Sequence, residues 1–318
     1  MKKSKKSNLV KELEDLTFGI EIELKYVKRK EMAYFLKDKV FKTKEDLNND
    51  VSYDIFKVKD KDNRIWKCVK DESLNDGRGG CEIVSPILTY SDIPLVIKIL
   101  DSIRDNFTGE RSDYYIIADE ECSVHIHVGA MDITPFEVAN LYKMWSIYED
   151  LIFQALDVLD NRESEYCRRI DEAFLRRLRQ YKDLNYYELR SLWYYDTLDE
   201  EESDWYDEEE PSWEMKYDSS RYRALNLHSL FNKDTIEFRL FNGTTNSMLV
   251  KSYIQFTLAF FNYAVRQKKS YNYKKSLGYY NLKTKMKNLL NKLDLKGTEF
   301  KDCRRIFQNS LSNDDDEY

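Results

Sequence analysis

The stretch TFGIEIELKYV at residues 17–27 decides which kind of sheet the chain can form. Apolar and polar side chains alternate along it, which is the pattern of a β-strand that presents one face to a core. The apolar side chains are Phe18, Ile20, Ile22 and Leu24, and the polar ones are Glu21, Glu23 and Lys25. Half-buried strands are typical of antiparallel sheets, so we predict an α+β fold, a mainly antiparallel sheet with helices packed on one face.

Further strands of this sheet are predicted by similar patterns along the chain. They lie at residues 64–70, 81–86, 122–131, 222–230 and 234–242. The three polar residues at 232–234 favour a hairpin between the last two strands.

Helical spacing of apolar residues predicts the helices that cover the sheet. They lie at about 29–40, 92–107, 135–160, 165–195 and 247–268. The third has the clearest start, because Thr134 and Glu137 match a capping box and Pro135 takes the first helical position.

The composition argues against several classes of protein. With 318 residues, of which 42% are hydrophobic, the chain can bury a substantial core. A net charge of −7 disfavours a nucleic-acid partner. Residues 253–265 are too short to cross a membrane, and no secretory signal follows the N-terminal lysines. Five scattered cysteines indicate reduced thiols in a cytoplasmic protein.

A set of charged residues shares the polar face of the predicted sheet. Most of them form pairs spaced i, i+2, so both members of a pair project from one face of a strand. The set comprises Glu21, Glu23, Glu82, His125, His127, Glu237 and Arg239. Burying an ionised carboxylate without a partner costs on the order of several kcal/mol, so carboxylates gathered in this way favour a bound divalent cation.

The ligand types indicate which cation and which chemistry. Carboxylates with an imidazole suit Mg²⁺ or Mn²⁺ better than Zn²⁺. An arginine beside such ions is typical of phosphoryl transfer, because it offsets charge on the transferred group. The sequence has no G-x-x-x-x-G-K-[ST] loop and no G-x-S-x-G motif, which argues against a P-loop fold and a serine hydrolase.

Each pair also has a simpler structural interpretation. E-x-E on a strand is usually structural, E-x-R is often a cross-strand ion pair, and H-x-H also fits copper, zinc or non-haem iron. Their joint occurrence, each in phase with its strand, favours the metal site. His228 is in phase with Asn226, but a histidine beside Leu227 and Leu230 is more often structural.

Six motifs occur in order across residues 18–244, namely FGIEIEL, WKCVKDESL, GCEIVSP, CSVHIHVG, RYRALNLHSL and TIEFRLFNGT. Together they resemble the putative amidoligase family, distant relatives of glutamine synthetase and glutamate–cysteine ligase in the carboxylate–amine ligase superfamily. The resemblance implies a glutamine-synthetase-like catalytic sheet with ATP and Mg²⁺ (or Mn²⁺) as cofactors. It leaves out the acidic segment at 199–210 and the part of the chain beyond about residue 270.

The resemblance also implies roles for individual residues. The metal ligands would be Glu21, Glu23, Glu82, His125 and Glu237. The catalytic residue His127 would lie near the nucleotide phosphates, and Arg239 would contact the transferred phosphoryl group.

Two further elements of the resemblance concern substrate and phosphate. Arg221 or Arg223, together with Asn226, matches a segment that binds phosphate or substrate, and which arginine is catalytic stays open because all three cannot share one face of a regular strand. Asp71 and Ser73 match a D-x-S element assigned to the substrate. The family tends to carry glycine where this chain has Glu72, so that turn differs.

The resemblance implies an ATP-dependent carbon–nitrogen ligase. ATP would phosphorylate a carboxylate, and an amine would displace the phosphate to form an amide or isopeptide bond. Its substrates would be a small-molecule, peptide or protein carboxylate and amine, with no membrane partner.

Two alternatives to the ligase remain open. One is a divalent-metal hydrolase or oxygenase that uses the H-x-H pair and a glutamate, and the other is a non-catalytic module that binds a protein through the arginine-rich helix at 165–180 and the acidic segment.

The motifs divide the chain into three expected parts. They are a basic N-terminal tail at 1–15, a catalytic domain at 16–270 with the acidic insert at 199–210, and a helical C-terminal extension at 271–318 with a polar tail. Acidic runs of this kind are usually solvated loops, although this one could gate the site.

Overall fold

The computed structural model describes residues 8–45, 47–50, 54–71, 74, 79–107, 118, 121–180, 183–195, 218–270 and 280–311. Ser73 and the acidic insert at 199–210, both singled out from the sequence, lie outside the described residues.

These ranges contain both helices and strands. The helices are α1 (Asn8–Glu14), α2 (Arg29–Phe35), α3 (Ile93–Phe107), α4 (Pro135–Leu156), α5 (Asp160–Glu165), α6 (Glu172–Gln180), α7 (Tyr186–Tyr195), α8 (His228–Lys233), α9 (Ser247–Val265), α10 (Leu282–Lys292) and α11 (Lys301–Asn309). A π-helical turn at Leu36–Phe41 continues α2. The strands are β1 (Thr17–Lys25), β2 (Asn48–Asp50), β3 (Ile55–Lys59), β4 (Ile65–Val69), β5 (Gly80–Val84), β6 (Leu88–Thr89), β7 (Ser123–Gly129), β8 (Leu225–Asn226) and β9 (Thr235–Asn242).

The chain divides into two compact units. Unit 1 comprises Met1–Ile126, Phe241–Thr257 and Lys296–Ile306, and unit 2 comprises His127–Leu240, Leu258–Leu295 and Phe307–Tyr318. This division follows contacts in space, whereas the division expected from the sequence at residues 15 and 270 follows the motifs along the chain.

The sheet of unit 1 confirms the antiparallel arrangement predicted from the alternating strands. Its strands lie in the order β2-β3-β4-β5-β1-β7, and β6 pairs with the start of β1. The pairs β1–β5, β1–β6, β2–β3, β3–β4 and β4–β5 are all antiparallel. The apolar side chains of β1 are all buried, as their alternation predicts. Each such side chain contributes about 1.5 to 3 kcal/mol relative to full exposure.

The first described helix belongs to the segment that we expected to be part of a basic tail. Leu9, Val10 and Leu13 are buried, so α1 is held by apolar contacts although lysines precede it. Apolar residues at i, i+1 and i+4 form one helical face, but in a seven-residue helix this pattern is too short to stand out from its charged surroundings.

The core of unit 2 is organised around α4, which begins where the capping box predicts. Thr134 accepts a hydrogen bond from the backbone of Glu137, whose carboxylate accepts one in return from the backbone of Thr134. The buried Trp145 contacts Phe238 of β9 and Phe260 of α9 edge to face, with ring centroids 5.5 Å apart in both pairs. These contacts fix β9 against the helix.

Two local predictions in unit 2 were wrong. The strand expected at 222–230 is limited to Leu225–Asn226, and α8 replaces the expected hairpin turn. Asn226 causes this change, because its side-chain oxygen accepts a hydrogen bond from the backbone of His228 at 2.7 Å and so starts a helix.

The helix expected at 165–195 is also interrupted. Asn185 and Glu188 hydrogen-bond to each other's backbone N–H at 2.9 and 2.8 Å, which starts α7 separately from α6. The signal for this second capping box is present in the sequence, where Asn185 stands three residues before Glu188.

None of the helices in the described ranges combines the length and the apolar character that a membrane span requires.

The capping box of α4 yields a test of local stability. Replacing Thr134 with Ala should lower the free energy of unfolding by about 1 kcal/mol, because the backbone N–H of Glu137 loses its acceptor. Urea denaturation at an unchanged m-value measures this loss. Thr134→Ser keeps the hydroxyl and should stay near wild type. An equal loss in the Ser variant would show that the threonine methyl group, and not the cap, stabilises the helix.

Candidate functional site

An acidic cluster in unit 1 is built by three strands of its sheet. Glu21 and Glu23 project from β1, Glu82 projects from β5, and the register of these two strands places Glu23 directly opposite Glu82. Like charges that face each other across two strands repel and destabilise a sheet. A positive charge near Glu23 and Glu82 would therefore stabilise this arrangement.

His125 of β7 completes this cluster. Its Nε2 lies 2.7 Å from Ser123 Oγ and 3.8 Å from a carboxylate oxygen of Glu23, and its Nδ1 lies 3.3 Å from a carboxylate oxygen of Glu21. One potential ligand atom from each of Glu21, Glu82 and His125 lies within 4.8 Å of the other two. We call these three residues with Glu23 the acidic cluster.

The crowding of carboxylates changes the protonation of Glu82. Burial raises the pKa of its carboxyl well above the usual range, and the negative charges of Glu21, Glu23 and Asp71 raise it further. A bound cation would reverse this effect, because it favours the ionised form of each carboxylate. Asp71, which the sequence singled out, thus lies close enough to act on this cluster.

The donor set of the acidic cluster fits a hard divalent cation. Carboxylate oxygens with an imidazole nitrogen are ligands that Mg²⁺ and Mn²⁺ accept, and burial together with the neighbouring carboxylates raises the pKa of Glu82. Glu21, Glu82 and His125 would hold such an ion.

The backbone around Glu82 leaves no room for a larger residue two positions earlier. A Cβ atom on Gly80 would lie 2.6 Å from Leu74 Cβ, so only glycine allows this close approach. The polar face of β1 also carries a positive charge. The buried Lys25 forms an ion pair there with Glu121.

In unit 2, three donors bind the buried carboxylate of Glu237. One carboxylate oxygen accepts from Asn226 Nδ2 at 2.7 Å and from Ser229 Oγ at 3.0 Å. The other accepts from a terminal nitrogen of Arg239 at 2.6 Å and lies 3.8 Å from His127 Nε2. The structure thus brings His127, Asn226, Glu237 and Arg239 together, as the alternation along β7 and β9 predicts for three of them.

Arg239 is held in place at both its side chain and its backbone. Its guanidinium binds Glu237 and lies 5.8 Å from the ring centroid of Tyr222. Its carbonyl oxygen accepts a hydrogen bond from the buried Arg162 at 3.0 Å. A guanidinium with so few alternative positions is suited to bind one anionic group in one place.

Arg221 and Arg223 differ in what they contact. Arg223 donates to Asp171 at 2.9 Å and to the carbonyl oxygen of Arg169 at 3.0 Å, so its guanidinium joins two parts of unit 2. Arg221 lies over the ring of Tyr222 at 5.2 Å, and Arg239 lies near the same ring. Of the two arginines, Arg221 is the one that shares a neighbour with Arg239.

His228 is buried and hydrogen-bonded to the hydroxyl of Tyr194 at 2.7 Å. This contact links α7 to α8 and matches the structural interpretation favoured from the sequence.

Several polar residues near the acidic cluster and near Glu237 were not assigned a role from the sequence. Ser123, Lys25 and Thr235 are in phase with the charged pairs of β7, β1 and β9, so their spacing was a usable signal. Thr235 Oγ1 lies 3.3 Å from His127 Nδ1. Ser229 had no such signal, because it belongs to a helix that the sequence pattern presented as a strand.

Comparison with known proteins identifies one family. A family model described as "putative amidoligase enzyme" matches residues 14–261, a range that includes the acidic cluster and the contacts of Glu237. No curated protein matches the chain.

The raised pKa of Glu82 gives a testable dependence of stability on pH. Protonated Glu82 stabilises the metal-free fold, and this contribution is fully present below the ordinary pKa of 4.5 and is lost as the pH rises through the raised value. The free energy of unfolding in EDTA should therefore fall over that window, as measured by urea denaturation at several pH values. Glu82→Gln should flatten the fall, while Glu45→Gln, which alters an exposed carboxylate, should not. An unchanged fall in the Glu82 variant would contradict the assignment.

Proposed function

The chain belongs to the amidoligase family, and from this premise we propose that it is an ATP- and Mg²⁺-dependent ligase that joins a carboxylate to an amine. The observation that carries the proposal is the acidic cluster, in which ligand atoms of Glu21, Glu82 and His125 converge within 4.8 Å. Glu23 faces Glu82 across the strands and would complete this ligand set. When bound, Mg²⁺ would neutralise charge on the phosphate groups of ATP.

The proposed reaction has two steps, phosphorylation of the carboxylate and then attack by the amine. A carboxylate oxygen of the first substrate attacks the γ-phosphorus of ATP, the bond to the β-phosphate oxygen breaks, and ADP leaves. The amine then attacks the carbonyl carbon of the acyl phosphate, inorganic phosphate leaves, and the nitrogen loses a proton. Both steps require the chain to hold reactants in line and to offset negative charge.

The arginines of unit 2 are suited to the second requirement. The guanidinium of Arg239, oriented by Glu237, donates to oxygens of the transferred phosphoryl group, and Arg221 beside Tyr222 contributes a further positive charge. His127, next to Thr235 and Glu237, is assigned to the nucleotide phosphates. Asp71, close to the acidic cluster, is assigned to the substrate.

The cysteines support a mechanism without a protein nucleophile. All five are buried free thiols. Burial raises the pKa of Cys167 to about 11 and raises the pKa of Cys81 and Cys303 as well, which keeps these thiols protonated at neutral pH. A thiol is a poor nucleophile, so a covalent thioester route is disfavoured. Free thiols and the use of ATP both fit the cytoplasm.

The antiparallel sheet with polar residues in phase on β1, β7 and β9 supports a glutamine-synthetase-like catalytic sheet as part of the proposal. The substrates are a carboxylate and an amine carried by small molecules, peptides or proteins.

A thermal-shift titration with ATP, MgCl₂ and both together tests the proposal. Because a ligand that binds only the native state stabilises it by RT ln(1 + [L]/Kd), the melting temperature should rise when both are present. Glu23→Gln should weaken this rise, because it removes one carboxylate beside the proposed ion.

Other outcomes favour the alternatives. A rise that the metal produces and that ATP does not increase would favour a metal-dependent hydrolase or oxygenase, and no rise with either ligand would favour a non-catalytic module. Both outcomes would contradict the ligase.

Replacing Arg223 should affect the stability of the protein, whereas replacing Arg221 should affect the binding of MgATP. Arg223→Met should lower the free energy of unfolding by about 1 to 3 kcal/mol, because Asp171 and a backbone carbonyl lose a charged donor. Arg221→Met should leave unfolding nearly unchanged but weaken the stabilisation by MgATP. Urea denaturation and the thermal shift measure the two quantities. If a stable Arg223 variant lost MgATP binding and the Arg221 variant kept it, Arg223 and not Arg221 would be the arginine that binds the nucleotide.

A further inference from the structure

The carboxylate of Glu237 is held by Asn226 and Ser229, and neither the family description nor the charged motifs assign these two residues a role toward Glu237. Glu237 is 3% exposed, so its charge depends on hydrogen-bond donors from the protein. Asn226 Nδ2 and Ser229 Oγ both donate to the same carboxylate oxygen, Oε2. The other oxygen, Oε1, is left to Arg239 and His127.

The orientation of Asn226 is determined by its surroundings. Its Oδ1 accepts a hydrogen bond from the backbone N–H of His228 at 2.7 Å. Since a backbone N–H can only donate, the amide oxygen must face His228, and the amide nitrogen must face Glu237. The antiparallel pairing of β8 with β9 places Asn226 directly opposite Glu237.

Ser229 is brought to the same oxygen by α8. This short helix is tied to α7 by two hydrogen bonds, one between Tyr194 Oη and His228 Nδ1 at 2.7 Å and one from Tyr186 Oη to the carbonyl oxygen of Leu230 at 3.2 Å. A serine hydroxyl has a single hydrogen, so donating it to Glu237 at 3.0 Å directs the hydroxyl to that carboxylate.

We propose that Asn226 and Ser229 are positioning residues that clamp Oε2 of Glu237 and thereby direct Oε1, and with it the guanidinium of Arg239, to the phosphoryl group. The inference rests on the proposed function. Rotation of the carboxylate about its last bond would break both hydrogen bonds to Oε2 and move the acceptor of Arg239. Under this proposal Asn226 acts on the nucleotide through Glu237 and not by direct contact.

The clamp itself is tested without any ligand by a double-mutant cycle. The free energy of unfolding is measured for wild type, Ser229→Ala, Glu237→Leu, which has no acceptor for the hydroxyl, and the double variant. If Ser229 acts on Glu237, the two changes are not additive, because the second removes an interaction that the first has already lost. Additive changes would overturn the clamp.

The positioning role is tested by MgATP titrations of variants that remain folded. Ser229→Ala should raise the concentration of MgATP needed for a given rise in melting temperature by roughly 10-fold or more, as for other groups that orient a ligand-binding side chain. Ser252→Ala is the matched control, because it also removes a buried serine hydroxyl, one that donates to the carbonyl oxygen of Met248 within α9. The control should bind MgATP as wild type does.

The outcomes separate this inference from the proposed function. A wild-type protein that does not respond to MgATP would overturn the proposed function and the positioning role together. A normal response in wild type and an equal response in Ser229→Ala would overturn the positioning role alone. A coupled cycle together with weakened MgATP binding in Ser229→Ala, but not in Ser252→Ala, supports it.

Discussion

The crowding of carboxylates on adjacent strands of unit 1 is the physical constraint on which the proposed chemistry depends. The β1–β5 register sets Glu23 opposite Glu82, and burial together with Glu21, Glu23 and Asp71 raises the pKa of the Glu82 carboxyl. A sheet selected for stability alone would avoid this repulsion. A bound divalent cation would convert the same arrangement from repulsive to attractive, so under the proposed function the cluster would exchange some stability of the free protein for affinity toward the ion.

Unit 2 handles buried charge differently, by pairing each group with fixed partners. The carboxylate of Glu237 has three donors, and the backbone of Arg239 is held by Arg162. Because these partners already hold Glu237 and Arg239, the phosphate binding that we propose would need little rearrangement of the two side chains. Electrostatic stabilisation of a transition state is most effective under this condition, since donors that are already oriented cost no reorganisation during the reaction.

The two arrangements suit chemistry in which the protein supplies position and charge instead of a nucleophile. The five free thiols are buried, and burial raises the pKa of Cys81, Cys167 and Cys303, which disfavours attack by these thiols. The side chains with suitable chemistry are carboxylates, imidazoles and guanidinium groups. Such a set suits the acyl-phosphate formation that we propose, because phosphoryl transfer depends mainly on positioning and on electrostatic stabilisation of the phosphate oxygens.

The sequence by itself determined the strands β1, β4, β5, β7 and β9 and, for β1, β7 and β9, the face on which their charged pairs lie. A β-strand repeats every two residues, so the pairs on β1, β7 and β9 had to project together wherever the strands were placed. Only the tertiary structure decided which residues meet across strands, such as Glu23 and Glu82, because register depends on contacts between distant segments. It also decided that Arg223 pairs with Asp171 and that α8 carries Ser229 to Glu237. These contacts depend on caps and ion pairs that a periodic pattern does not contain.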